Sequence, residues 1–197
     1  MKLTVYADKI FYYEEAIAEP DKVVELLELT DELLTDSDAI TKWNSWESSK
    51  KDAVYIYGKQ KHVDGLKADS SSENVKWIYQ TLSETLHACG RDYSSSLGIE
   101  YVDPSPISIS KYQKGAEMGP HVDWHGDTMV EPLMSAVLYL NDDYEGGELD
   151  FPDLGVTIKP KAGSIIIFPS VAPFYHQSLI VKSGFKYMSP AFWIKRL

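Results

Sequence analysis

The 197-residue chain has a single cysteine, Cys89. It can therefore form no internal disulfide and no cysteine-based zinc cluster, which excludes a disulfide-stapled secreted scaffold. A lone cysteine of this kind reads as a small buried hydrophobe. No apolar run of about 18 residues occurs, so no membrane-spanning helix is expected. The opening residues lack an apolar stretch followed by a small-residue cleavage site. These absences predict an intracellular, cytoplasmic protein. Cations are scarce too: 19 Lys+Arg against 30 Asp+Glu give a net charge of −11. A phosphate backbone must be neutralised by clustered Lys and Arg, so neither nucleic acid nor an anionic membrane is an expected partner.

Turn formers are scarce in one half only. Residues 1–103 hold 4 Gly and 1 Pro, whereas residues 104–197 hold 8 Gly and 9 Pro. The first region therefore reads as mainly helical and the second as short strands with many reversals. Pro20 opens an amphipathic stripe through Val23, Leu26, Leu27, Leu33 and Leu34. A second stripe, Val75, Ile78, Tyr79, Leu82, Leu86 and Cys89, follows a Ser70–Glu73 cluster suited to capping its start. Ala53–Tyr57 reads as a strand and Gly58–Ser72 as a polar loop. The acidity belongs to the first region, with 20 acids and 11 bases against 10 and 8 in the second. Its acidic run from Glu14 to Asp38 reads as a solvated helix face.

The second half offers strands at Ile107–Tyr112, His121–Trp124, Ser135–Leu140, Gly147–Phe151, Gly155–Ile158, Ser164–Phe168, His176–Val181 and Lys186–Ile194. So many short strands fit a double-sheet jelly roll. The predicted fold is α+β: one domain over 1–197, with helical support in 1–103 packed on one sheet of a jelly-roll core in 104–197.

Within 120-PHVDWHGD-127, His121 and Asp123 are two apart, and on a strand such residues share a face. An imidazole and a carboxylate are thus delivered to one point. His62, His87, His125 and His176 are the candidates for a third ligand. His62 in the polar loop and His87 off its helix's apolar stripe read as surface residues. His125 and Asp127 form an alternative pair, but the turn-like segment around them breaks strand alternation. His176 lies in a strand-like stretch that sheet closure can bring opposite His121. Two His and one carboxylate on one face of an octahedron leave three positions open, the arrangement of non-haem Fe(II) oxygenases. A zinc hydrolase can use the same ligands but also needs a bound water and a nearby base.

Ten residues after His176, Lys186 opens an otherwise apolar and aromatic strand, 184-GFKYMSPAFW-193. Unless its head reaches water, a lysine there needs an anion. A dicarboxylic cosubstrate bound to iron at one end would supply that anion at the other.

The stretches 112-YQKGAEMGPHVD-123, 138-LYLNDDYEGGELDF-151, 159-KPKAGSIIIFPS-170 and 175-YHQSLIVKSGFKYMSPAFW-193 resemble, in order and spacing, the 2-oxoglutarate/Fe(II)-dependent dioxygenases of the prolyl 4-hydroxylase-like branch. The resemblance covers roughly residues 107–193 and implies a double-stranded β-helix. It implies that His121, Asp123 and His176 hold Fe(II) and that Lys186 pairs with the distal carboxylate of 2-oxoglutarate. Lys offers a point charge rather than a fork, so a hydroxyl helps to orient the carboxylate. Tyr139 matches a family tyrosine in that role, and Tyr112 one that lines the pocket. The implied reaction consumes O2, releases succinate and CO2, and hydroxylates a prolyl residue of a peptide or protein, or a related amino-acid side chain. L-ascorbate is a cofactor that the resemblance allows.

Two further readings remain open: a 2-oxoglutarate oxygenase of a small metabolite or nucleobase, and a cupin-like metal-binding module without oxygenase activity. Lys186 discriminates, because a module that only binds metal has no use for a buried cation. The loops Gly58–Ser72 and Asn141–Gly146 are the predicted substrate rim.

Overall fold

The structure, a computed structural model, describes residues 1–30, 35, 37–41, 43–51, 54–124 and 129–196. Two hairpins and two helices precede the strand-rich half. In chain order these are β1 (Lys2–Tyr6), β2 (Ile10–Glu14), α1 (Pro20–Thr30), β3 (Asn44–Lys51), β4 (Val54–Val63) and α2 (Glu73–Leu97). There follow β5 (Ile109–Tyr112), β6 (Glu117–His121), β7 (Val130–Tyr139), β8 (Glu145–Gly146), β9 (Leu149–Phe151), β10 (Val156–Ile158), β11 (Ser164–Phe168), β12 (His176–Ser178), β13 (Val181–Ser183) and β14 (Lys186–Arg196).

The strand order is β1-β2-β11-β7-β14-β5-β4-β6-β12-β9-β10, with β3 on β4 and β13 on β8. This path folds into two facing walls, a double-stranded β-helix. One wall carries β2, β11, β7, β14 and β5; the other carries β6, β12, β9 and β10.

Strand alternation divides the apolar residues of the first wall between two cores. Phe11, Tyr13, Ala136, Leu138, Ile165, Ile167 and Tyr187 meet Val23 and Leu27 of α1 and Val75, Ile78, Leu82 and Leu86 of α2. Tyr12, Tyr112, Val137, Tyr139, Ile166, Phe168 and Met188 turn the other way and meet Leu149, Phe151 and Ile158 of the second wall. Each fully buried large side chain contributes about 1.5–3 kcal/mol. The helices thus hold one face of the wall, and the barrel interior owns the other.

Helix α2 begins where the capping cluster predicts, with the Ser72 hydroxyl accepting from the Val75 N–H. It ends at Gly98, whose φ of 66° closes the last turn. The Cys89 thiol is buried in this helix, and burial pushes its pKa up to about 12. Leu33 and Leu34 of the first stripe lie outside the described residues.

Three expectations are corrected. The first region is not mainly helical, since it contributes four strands. Its β1–β2 turn is made by Ala7 and Asp8 at φ of 45° and 61°, so glycine was not needed to reverse the chain. Residues Gly58–Val63 are not loop but the end of β4, where Gln60–Val63 pair with β5; their polar side chains hid the strand. The predicted strand His121–Trp124 ends at its first residue, because β6 runs Glu117–His121. No described helix is long and apolar enough to cross a membrane.

Candidate active site

The β6–β12 ladder sets His121 and His176 as direct Cα partners. Their rings approach to 4.3 Å between centroids. Asp123, two residues past the end of β6, turns back so that its carboxylate oxygens lie 3.5 Å from His121 Nε2 and 3.7 Å from His176 Nε2. All three ligand atoms fall within 4.8 Å of one another, close enough to hold one metal ion.

The backbone fixes which nitrogens face that point. His121 Nδ1 lies 2.8 Å from the Gly119 carbonyl, and His176 Nδ1 3.2 Å from the Phe174 carbonyl. A carbonyl only accepts, so each Nδ1 carries the proton and each Nε2 keeps its lone pair for a metal. Ser135 on β7 hydrogen-bonds the Asp123 carboxylate and meets Ser170 at 2.8 Å. The rings of Phe168 and Phe151 wall His176 at 4.6 and 5.8 Å.

Two of the three ligands are shifted towards the forms a metal needs. Burial pushes His176 down to about 4, outweighing the pull of Asp123. Burial pushes Asp123 up, but His121, His176 and Ser135 together hold its carboxyl below the usual range. Burial lowers His121 as well, yet Asp123 and the Gly119 carbonyl leave it raised. At His121 Nε2 a metal therefore competes with a proton more than it does at His176.

Beyond His176 along the same strand face, Ser178 accepts a 2.8 Å hydrogen bond from the Lys186 ammonium. Lys186 is fully buried and also donates to the Gly147 carbonyl at 2.8 Å. Across β14, Lys186 pairs with Tyr112 of β5, and Met188 pairs with Tyr139 of β7. The ammonium therefore sits 5.3 Å from the ring centroids of both Tyr112 and Tyr139. Burial lowers its pKa to about 7, helped by the charge of Lys159 and opposed by Glu148.

Four polar groups in this pocket await an anion. An ammonium has three protons, and Lys186 spends two of them on protein oxygens. Among the described residues, the buried hydroxyls of Tyr139 and Tyr144 have no hydrogen-bond partner. The Tyr112 hydroxyl has, among the described residues, only the Met118 sulfur, at 4.0 Å. A carboxylate satisfies these donors. The step from His176 to Ser178 covers about 7 Å of strand, a span that a short dicarboxylic acid bridges between metal and ammonium. Fe(II) and 2-oxoglutarate thus fit the residues present.

Some predicted residues lie elsewhere. His62 is not a surface residue: it is buried on β4, 2.7 Å from both Ser110 Oγ and Asp64 Oδ1. His87, half-buried, meets the Tyr101 hydroxyl at 2.6 Å. His125 and Asp127 lie outside the described residues. The Asn141–Gly146 loop is drawn to the Lys186 end, because Asn141 donates to the Phe185 carbonyl and accepts from the Tyr187 N–H. Ser178, Ser135 and Tyr144 were not found from sequence. Ser178 was within reach of the two-residue rule applied to His176, whereas Tyr144 sits in a loop with no periodicity to flag it.

Residues 107–195 match the family model of the 2OG-Fe(II) oxygenase superfamily. No curated protein matches the chain. Among solved structures, a viral collagen prolyl hydroxylase from Paramecium Bursaria Chlorella virus-1 is similar, with a TM-score of 0.66 at 16% identity over 97% of each chain. A Pseudomonas putida prolyl-4-hydroxylase gives 0.61 at 18% identity over 96% of this chain and 93% of its own. A Trichoplax adhaerens prolyl hydroxylase, solved with a hypoxia inducible factor oxygen degradation domain peptide, gives 0.67 at 13% over 94% and 83%. The fold is shared across nearly the whole chain, and the match over residues 107–195 supports a dioxygenase that uses Fe(II), 2-oxoglutarate and O2.

Proposed function

We propose that the protein hydroxylates a prolyl residue in a peptide or protein, with release of succinate and CO2. The observation that carries the oxygenase chemistry is the pairing of one metal-binding triad with one fully buried lysine, whose ammonium meets Ser178 two residues beyond His176. A metal-binding module alone gives Lys186 nothing to do. The substrate class rests on the company the fold keeps, three prolyl hydroxylases, one of them solved with a peptide.

His121, Asp123 and His176 would hold Fe(II), a two-His, one-carboxylate ligand set suited to an iron oxygenase. When bound, iron and 2-oxoglutarate would supply the oxidising chemistry, with one oxygen atom of O2 entering succinate and the other the substrate hydroxyl. The chain supplies orientation. Lys186 holds the distal carboxylate, Tyr139 donates to it, and Tyr112 closes the pocket wall. Phe151 and Phe168 keep water from the metal side. Residues 1–103 act with the core as one catalytic unit over 1–197, their helices bracing the wall that carries Lys186. Residues 104–197 carry a charge of only −2, from 10 acids and 8 bases, so an uncharged or mildly basic proline-rich segment meets no strong repulsion there. We place the protein in the cytoplasm, where its lone thiol stays reduced.

The test is anaerobic titration of the Fe(II) protein with 2-oxoglutarate, followed in air by a succinate-release screen over proline-rich peptides and free amino acids. The expected result is a visible charge-transfer band and succinate release stimulated by prolyl peptides. A band with stimulation only by free amino acids or other metabolites overturns the peptide substrate. The absence of any band overturns the oxygenase site.

A further inference from the structure

Tyr144 is the one aromatic side chain of the β7–β8 connection turned inward, and it is almost completely buried. Its ring fills the end of the barrel beside Lys186. Gly147 lies between the two: at φ of 65° it has no side chain, and a Cβ there would sit 3.0 Å from the Tyr144 ring and 3.2 Å from Lys186 Cδ. The glycine is what lets the phenol and the lysine stem lie side by side.

The ring is held there on purpose-built contacts. Lys159 Nζ lies 3.8 Å from the ring centroid and donates to the carbonyls of Tyr144 and Gly146 at 3.0 and 2.6 Å. A cation on the ring face draws electron density from the phenol and makes its O–H a better donor. Packing alone needs no hydroxyl at this position, since phenylalanine fills the same space. Yet the hydroxyl is buried without a partner among the described residues, as is that of Tyr139. Burial keeps both phenols protonated, so both are donors. A buried donor left unpaired is costly, and two of them beside a buried ammonium define an anion site.

We propose that Tyr144 donates a hydrogen bond to the distal carboxylate of 2-oxoglutarate, completing with Lys186 and Tyr139 a three-donor clamp that selects dicarboxylic over monocarboxylic 2-oxo acids. This rests on the reading of the Lys186 pocket given above. The count closes: one remaining ammonium proton and two phenolic protons meet a group with about four lone-pair positions. The clamp is made of one strand, one neighbouring strand and one loop, so the loop is part of cosubstrate selection.

The test is binding rather than turnover. Wild type, Tyr144→Phe and Lys186→Met are loaded with Fe(II) under argon and titrated with 2-oxoglutarate and with 2-oxobutyrate, which has no distal carboxylate. The charge-transfer band gives each affinity. Wild type is expected to prefer 2-oxoglutarate. Tyr144→Phe should weaken 2-oxoglutarate about tenfold while leaving 2-oxobutyrate unchanged, a split that a packing defect would not produce. If Tyr144→Phe binds both acids as wild type does while Lys186→Met loses the preference, the clamp is wrong and the pocket stands. If wild type shows no preference and Lys186→Met changes nothing, the pocket itself is misassigned, and the clamp falls with it. Equal weakening for both acids also overturns the clamp.

Discussion

His121 and His176 face each other as partners in one antiparallel ladder, with their ring centroids 4.3 Å apart and each Nδ1 tied to a backbone carbonyl. A metal between them joins β6 to β12 and stabilises the folded state by mass action, about 2.7 kcal/mol at a concentration of one hundred times Kd. Fe(II) or Mn(II) should therefore raise the Tm of the wild type. His176→Ala should lose that increment, and differential scanning under argon measures it. An equal metal-induced shift in wild type and variant would contradict the ligand assignment.

Ser135 acts on the metal through Asp123, which it orients, and through Ser170, its own 2.8 Å partner. Losing such an outer hydrogen bond typically costs 10–100-fold in metal affinity. Ser135→Ala should weaken Fe(II) binding by about that factor in a competitive chelator titration, with the far-UV spectrum unchanged.

Lys186 is lowered from 10.5 to about 7 in the fold, chiefly by burial. Between these values the unfolded chain binds the extra proton, so stability rises with pH across that window and the cost of the charged lysine is largest below it. Lys186→Met removes the cost. The cosubstrate-free variant should melt higher than wild type, with a larger gap at pH 6 than at pH 9. A gap that is constant with pH would show that Lys186 does not titrate there.

Cosubstrate binding should be coupled to the same proton. Above about pH 7 the empty pocket holds Lys186 mostly neutral, while a bound carboxylate restores its charge. Binding then takes up a proton, and 2-oxoglutarate affinity falls as pH rises, by up to about tenfold per unit. Calorimetry in buffers of different ionisation enthalpy reads the uptake directly. Glu148 and Lys159, the charged groups that act on Lys186, set where the change begins.

Gly90 gives a test of the helix side of the wall. Glycine within a helix usually gains about 1 kcal/mol on replacement by alanine. Here a Cβ would meet the Trp193 ring at 2.7 Å. Gly90→Ala should instead destabilise by about 1–3 kcal/mol, measured by urea denaturation.

The features legible in the sequence were those with short-range periodicity or spacing. The α2 stripe and its serine cap, the β-rich half, the His-x-Asp pair and the odd lysine in an aromatic strand all carry their signal within a few residues. What was missed depended on contacts distant in the chain. IFYYE is buried along most of its length against β1 and β11, so β2 shows no alternation to read. His62 looks like a loop residue until β5 brings Ser110 to it. Tyr144 gains meaning only when Gly147 and Lys186 close around it.

The two-sided wall has a consequence for how this protein can change. Along β14 the apolar side chains at 187, 191 and 193 join the helix-side core, while Met188 joins the barrel interior that Lys186 also enters. A saturation scan over this strand should split into two interleaved phenotypes, one in ligand affinity and one in thermal tolerance. Pocket chemistry can then diversify at every second residue without disturbing the framework beneath it, so new specificities are reachable by single substitutions rather than by remodelling the fold.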